Sequence, residues 1–435
     1  MKRARLVLVG LLLLVLVAPA AAETLAIVHA RAWTNASASS SGPLDNATIV
    51  IRDGKIISVG AGLAPPPGAQ VIDAQNRVVT PGLMNASTQL GLVEVSGVDE
   101  TVDAAVKASP LGAAFDVQYA LNSNSELIAV ARADGLTRAI AAPTGSGASP
   151  FAGRASLLHL AKEQILEQPR VAMFAVIGGG SAASAGGSRA AQWQLLRNAL
   201  DEAKRYHARP HASLAPRDQL LNHLDAEALA AVLDRREPLV IAADRESDIR
   251  QAVQLGQDYG LRIVIQGGAE AWRAADLLAA HDVGVILDPF ADLPTSFDEI
   301  GARPDNAARL QHAGVLIAFA QTDTFTTLYR SLEAGLALRE SAGLATANGL
   351  SWSDALRAIT LNPARMFGVS DRYGALAPGR DADLVIWQGD PLDVSGWPDT
   401  VFVGGVQALL QTRQTLLRDR YAPQHRDRPF GPAYP

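Results

Sequence analysis

The 435-residue chain contains no cysteine, so disulfides, thiolate nucleophiles and cysteine-ligated metals are all excluded. Lysine is nearly absent as well: five stand against 33 arginines, a bias we read as one of coding rather than of function. Eight histidines are spread from His29 to His425, and no pair sits in an uninterrupted metal-binding spacing. His207 and His211 are four apart, but Pro210 between them should end any helix that would align their rings, which leaves them as surface histidines. After residue 17 there is no second long apolar run, and no Gly-x-Ser-x-Gly elbow, P-loop lysine or dinucleotide fingerprint occurs.

Residues 1–22 have the form of a secretory leader. Lys2, Arg3 and Arg5 precede an apolar stretch over 6–17, followed by Ala18-Pro19-Ala20-Ala21-Ala22. About 12 apolar residues fall short of the roughly 20 that span a bilayer, so cleavage after Ala22 is expected, with no stable membrane span afterwards and a periplasmic or secreted protein. Losing three basic residues takes the formal charge from -6 to -9. A chain this acidic lacks the basic patch that nucleic acid or an anionic membrane requires.

The remaining chain changes period twice. Short alternating segments at 25–32, 48–52 and 55–59, the last two joined by Asp53-Gly54, predict antiparallel sheet up to about residue 80. Between 139 and 319, apolar runs alternate with helical stretches over 190–206, 225–234, 248–259 and 269–281, which predicts parallel βα units. A Gly/Ser/Ala-rich segment at 178–187 reads as a flexible loop over a barrel mouth. A helix over 353–359 precedes Asn362-Pro363, read as the cap of the next helix. Sheet then returns through Tyr373-Gly374-Ala375-Leu376-Ala377-Pro378-Gly379-Arg380-Asp381-Ala382-Asp383-Leu384 and a hairpin around Gly404-Gly405, which suggests that both termini build one small domain.

Three segments carry a family resemblance: Val79-Thr80-Pro81-Gly82-Leu83, Ala358-Ile359-Thr360-Leu361-Asn362-Pro363-Ala364 and the Gly374 to Leu384 run, where Arg380 stands in a lysine place. With these the chain resembles the metal-dependent amidohydrolase superfamily, in its imidazolonepropionase-like exported branch. The resemblance implies an α/β fold: a distorted (β/α)8 TIM barrel over residues 81–370, a β-sandwich from 23–80 plus 371–421, and a C-terminal tail from 422 to 435. It also implies zinc or another divalent metal at the C-terminal mouth of the barrel, held by histidines from strands one, five and six and an aspartate from strand eight.

This sequence departs from that ligand set. Ser87 and Gln89 occupy the strand-one places, Ala242 or Asp244 the strand-five place, and Gly267 the strand-six place, while the fourth strand ends without a lysine. Neutral hydroxyls and amides are poor substitutes for imidazole. Asp323 alone aligns with a family ligand, the aspartate that also shuttles protons. Asp244 and Asp323 could pair as acid and base or form ion pairs to Arg245, and Glu94, Asp99 and Asp103 follow the first strand. The expectation is a pseudoenzyme or weakly active relative that needs no cofactor. It would bind a small molecule or peptide at the mouth, alone or in a homo- or hetero-oligomer with an active relative. The alternative is a true hydrolase of non-peptide carbon-nitrogen bonds working through Asp323.

Overall fold

The computed structural model describes residues 24–36, 42–106, 111–145, 149–161, 163–178, 181–208, 220–291, 293–321 and 334–421. The leader and the tail beyond Tyr421 lie outside them. So do Asp323, His211 and His425.

Two eight-stranded sheets organise the chain. One contains β1 (Thr24–Ala32), β2 (Leu44–Arg52), β3 (Lys55–Ala61), β4 (Gln70–Asp73), β5 (Val78–Pro81), β14 (Leu384–Gln388), β15 (Trp397–Val403) and β16 (Val406–Gln407). Its order is β16-β15-β14-β5-β1-β2-β3, with β4 also pairing β1. Antiparallel pairing of β5 with β14, Val79 opposite Ile386, joins the first part of the chain to the last. Asp53 and Gly54 both adopt positive φ, 52° and 75°, which gives the tight turn between β2 and β3 that the dipeptide predicted. Isoleucines 27, 49, 51 and 56 form this domain's own core with Leu384 and Phe402.

The second sheet runs β6 (Leu83–Thr88), β7 (Leu136–Ala141), β8 (Phe151–His159), β9 (Leu166–Val176), β10 (Leu239–Ala243), β11 (Ile263–Gly267), β12 (Gly284–Leu287) and β13 (Ile317–Phe319) in chain order. β13 returns beside β6, so the sheet closes nearly into a barrel. Five of the seven pairings are parallel, and β8 is antiparallel to both neighbours. Sequence periodicity did not mark β8 at all. Residues 142–150 and 160–165, which flank it, are too few for the dozen or more residues of a parallel crossover, so the chain doubles back. Alternate strand residues split into two layers: Met84, Ile140, Phe174, Val240, Val264 and Ile286 fill the lumen, while their sequence neighbours such as Ile241, Ile265 and Val285 face the helices.

The helices over 190–206, 225–234 and 248–259 appear as Arg189–Ala208, His223–Leu233 and Glu246–Tyr259. The stretch at 269–281 is instead a 3-10 turn, Ala271–Ala274, followed by a short helix, Ala275–Ala280. Asn362 does not cap a helix. Thr360 holds the N-cap place of helix Leu361–Met366, and the buried Asn362 amide donates to the Ile317 carbonyl of β13 at 2.8 Å.

The closing motif works at the barrel floor. Arg138, on β7 and 1% exposed, points into the lumen base and is gripped by Asp383 through Nε to Oδ2 at 2.6 Å and Nη2 to Oδ1 at 3.1 Å. Its guanidinium stacks 4.2 Å from the Tyr373 ring centroid. Burial opposes the charge on Arg138, but Asp383 outweighs it and holds the group above its ordinary value. Asp383 also accepts the Gly404 amide at 2.7 Å. Beside it, Asp381 accepts from Lys55 and Arg372, and Arg372 also reaches Glu167. At the start of the motif, a Cβ on Gly374 would lie 2.7 Å from the Thr360 carbonyl, so only glycine fits.

The clasp can be tested through stability. Arg138→Met should cost about 3–5 kcal/mol in denaturant unfolding, because Asp383 is left buried and unpaired. Adding Asp383→Leu should recover part of that loss; equal or greater loss in the double variant would refute the pairing. Burial would raise the Asp381 carboxyl, but Lys55 and Arg372 hold it below the usual range. A carboxyl with a depressed folded value stabilises above its unfolded value of about 4 and loses that contribution as pH falls through the folded value. The urea midpoint of Asp381→Asn should therefore lie below wild type at pH 7, with the gap closing on acidification. A gap independent of pH would show that ionisation of Asp381 is not what stabilises.

Candidate functional site

The parallel strands place their C-terminal ends on one face of the barrel, where the loops that follow form its mouth. At the end of β6, the pairing with β7 slips between Asn85 and Thr88, and this slip turns Ser87 inward. Ser87, 6% exposed, accepts from Gln266 Nε2 of β11 at 3.3 Å across the mouth. Thus the ends of strands one and six converge, although 179 residues separate them.

Gln266 was not among the residues singled out by sequence, and a signal for it was present. Period two from the lumen residue Val264 selects Gln266, whereas Gly267 belongs to the opposite face. Gly267 has φ +88°, and a Cβ there would lie 2.4 Å from Asp244 Oδ1. The Asp244 carboxylate therefore fills the space a side chain at 267 would need. It is held there by the Ala269 amide at 3.2 Å, and the Asp244 carbonyl accepts the Glu270 amide at 2.9 Å. Ala242 lies directly opposite Gln266 in the β10–β11 ladder, half-buried like Asp244.

A second chain of neutral groups lies behind the barrel wall, because Asn85 and Gln321 share the helix-facing side of their strands and Ser341 lies on helix Leu336–Ala347. The Asn85 amide donates to Gln321 Oε1 at 3.3 Å and to the Ala334 carbonyl at 3.1 Å, and its oxygen accepts the Ser87 amide at 3.0 Å. Gln321 in turn donates to Ser341 at 3.3 Å. All four of Asn85, Ser87, Gln321 and Ser341 are buried. Gln89 stands half-buried just past β6, with its carbonyl accepting the amides of Leu92 and Val93.

Of the carboxylates that follow the first strand, Glu94 serves structure. Glu94 accepts from Asn122 at 2.9 Å and Ser125 at 3.0 Å. Arg189 joins Asp298 to Asp248, which ties the loop after β12 to the helix after β10. The loop after β9 is pinned rather than free at its described ends: Gln192 accepts the Gly178 amide at 3.3 Å and donates to Ser181 at 2.7 Å. The loop after β12 carries Leu293, Phe297 and Ile300 into solvent as an apolar lip, with Phe297 90% exposed.

The comparisons with known proteins accord with this arrangement. The Amidohydrolase family profile matches residues 78–408, which is most of the chain. The chain belongs to the amidohydrolase family. Among solved structures, it resembles an amidohydrolase from Thermotoga maritima MSB8, with a TM-score of 0.77, 23% identity, and coverage of 88% of this chain and 99% of the other. It also resembles a prolidase complexed with N-methylphosphonate-L-proline, at TM-score 0.53, 17% identity and coverage of 89% and 100%. Molinate hydrolase follows at 0.53, 15% identity and coverage of 89% and 95%. At these identities the likeness is one of fold. A curated relative, Amidohydrolase tasK of Hapsidospora irregularis, is 40% identical over 57 residues, which are 13% of this chain and 6% of that protein.

Family membership corrects one expectation. A protein needing no cofactor is not what this superfamily of metal-dependent hydrolases implies; zinc or another divalent metal is. The described mouth residues do not fit an imidazole-type centre, since no three His, Asp or Glu side chains converge among the described residues. Hydroxyl and amide oxygens bind such ions weakly, so Ser87, Gln89 and Gln266 by themselves would not retain one. Asp323, two residues beyond Gln321, lies outside the described residues.

The Asp244 to Gly267 contact has a direct test. Gly267→Ala should destabilise by more than about 1 kcal/mol, since it adds both a clash and a strained φ. In an Asp244→Ala background the steric part should vanish and the cost fall. An unchanged cost would mean that Asp244 does not occupy the space over Gly267.

Proposed function

We propose that this chain is an exported amidohydrolase-family protein whose barrel mouth binds a small amide-bearing or peptide-like ligand, with weak turnover at most. The observation that carries the reading is the Gln266 to Ser87 contact across the mouth, at the strand ends where the family's chemistry is placed. Gln266 offers a carbonyl oxygen and a second amide hydrogen beyond that contact, and Ser87 offers its hydroxyl hydrogen. A donor and an acceptor side by side match the N–H and C=O of an amide. The exposed lip of Leu293, Phe297 and Ile300 supports an apolar group on the same ligand. Export rests on the leader-like sequence of residues 1–22. Among the described residues, no helix is long and apolar enough to cross a membrane.

The Gln266 and Ser87 pair offers hydrogen bonds rather than a base, which favours binding over catalysis. Asn85 and Gln321 spend their amides on each other and on Ala334 and Ser341, which ties the end of β6 behind Ser87 to the helix layer. The test uses the purified chain with N-acyl amino acid amides and dipeptides, followed by calorimetry and by product analysis. Saturable binding should weaken at least roughly tenfold in Gln266→Ala, the loss expected for hydrogen bonds worth about 1.4 kcal/mol. Turnover of these compounds that Asp323→Asn abolishes would instead establish a hydrolase of carbon-nitrogen bonds.

A further inference from the structure

Residues 293–301, in the loop after β12, are ordered from within. The Glu299 carboxylate accepts the amide and the hydroxyl of Thr295 at 2.8 and 2.7 Å, and the Ser296 hydroxyl accepts the Asp298 amide at 3.3 Å where the turn Phe297–Glu299 begins. Bonds this local fix the shape of the segment but not its place on the barrel. Its place is set by two anchors on other loops. Asp298 pairs with Arg189, which opens the helix after β9. Three residues on, the Gly301 amide donates to Glu270 at 2.9 Å and its carbonyl accepts from Trp272 Nε1 at 2.8 Å, both in the loop after β11.

The segment therefore lies across strand ends. A Cβ on Gly178, just past β9, would stand 3.4 Å from Asp298 Oδ2. Phe174 and Val176 face the lumen, and position 178 shares their parity, so the Asp298 carboxylate stands on the mouth side of that strand end. Between an anchor at β9 and one at β11, the chain passes the end of β10, where Ala242 shares the lumen parity of Val240.

The two anchors differ in how they can let go. Gly301 is gripped on both sides of its backbone, and a Cβ there would lie 2.6 Å from Glu270 Oε1. Asp298 is held by a guanidinium that is 30% exposed, within reach of water and salt. Arg189 also meets Asp248 at 3.3 Å, a buried carboxylate that the Trp193 indole holds at 3.1 Å. When Asp298 leaves, Asp248 keeps the guanidinium paired, and the departing carboxylate gains water. Release thus avoids the large cost of stranding a buried charge.

We infer that residues 293–301 form a strap across the β9 to β11 side of the mouth, hinged at Gly301 and latched by Arg189, and that the latch sets how fast the mouth opens. Its control over ligand exchange rests on the reading of the mouth as a binding site. The latch itself does not.

The absence of cysteine supplies a clean probe. Ala242→Cys places one thiol on the strapped side, and its rate of labelling by a maleimide in the intact chain reads opening. Adding Asp298→Asn or Arg189→Met should speed labelling, and amide hydrogen exchange over residues 293–300, at least tenfold, while exchange in β9, β10 and β11 stays that of the parent. Arg189→Lys should restore most of the slow rate. Raising NaCl from about 50 to about 500 mM should speed opening in the parent and not in Asp298→Asn. With an N-acyl amino acid amide as ligand, association and dissociation should both quicken in Asp298→Asn while Kd stays within about twofold. Labelling and exchange that both variants leave unchanged would overturn the latch, as would faster exchange that extends into the three strands. Faster labelling with unchanged ligand rates would overturn its control of exchange. If none of the amides binds, the reading of the mouth fails and ligand gating fails with it, whereas labelling and exchange still decide the latch.

Discussion

The ion pair between Arg138 and Asp383 is the point at which the two sheets become one protein. Its two residues come from the second strand of the barrel and from the segment that leads into β14, 245 positions apart. A buried guanidinium is costly to desolvate, and it is tolerated here because a bidentate carboxylate, a tyrosine face and nearby Glu167 surround it. The same carboxylate holds the Gly404 hairpin, so the floor of the barrel and the closing strands of the other sheet share one anchor. Asp381, Arg372 and Lys55 extend the pairing to the β2–β3 hairpin. The Gly374 to Leu384 run that carries the strongest family resemblance is therefore a structural clasp, at the end of the barrel opposite the mouth.

At the other end the charge balance reverses. At the described strand ends Gln266 meets the Ser87 hydroxyl, and the Asp244 carboxylate is turned against the Gly267 backbone. Neutral groups are cheap to bury once hydrogen-bonded, whereas a metal centre requires several unpaired donors aimed at one point. Asn85, Ser87 and Gln321 satisfy the first condition. The family's dependence on a divalent metal and the neutral donors at Ser87 and Gln266 thus stand in tension.

Much of the fold was legible in the sequence because period is a local property. The two-residue alternation and the Asp-Gly turn pointed to the first sheet, and the strand-helix alternation between residues 139 and 319 pointed to the barrel. β8 escaped because its nine residues are almost wholly buried, so no alternation marks them. Asn362 was misplaced as a cap for a related reason: Asn-Pro signals a helix start, but its partner, the Ile317 carbonyl, is 45 residues away.

The site divides in the same way. Sequence alone determined that serine, glutamine and glycine stand at positions 87, 89 and 267, since residue identity needs no coordinates. It could not decide which neighbouring residue faces inward. That choice rests on the pairing slip after Asn85, on strand parity at Val264 and Gln266, and on Asp244 filling the volume above Gly267. Parity along β11 is written in the spacing once one lumen residue is known, but the slip after Asn85 and the contact of Asp244 with Gly267 are relations between chain segments that only tertiary packing brings together.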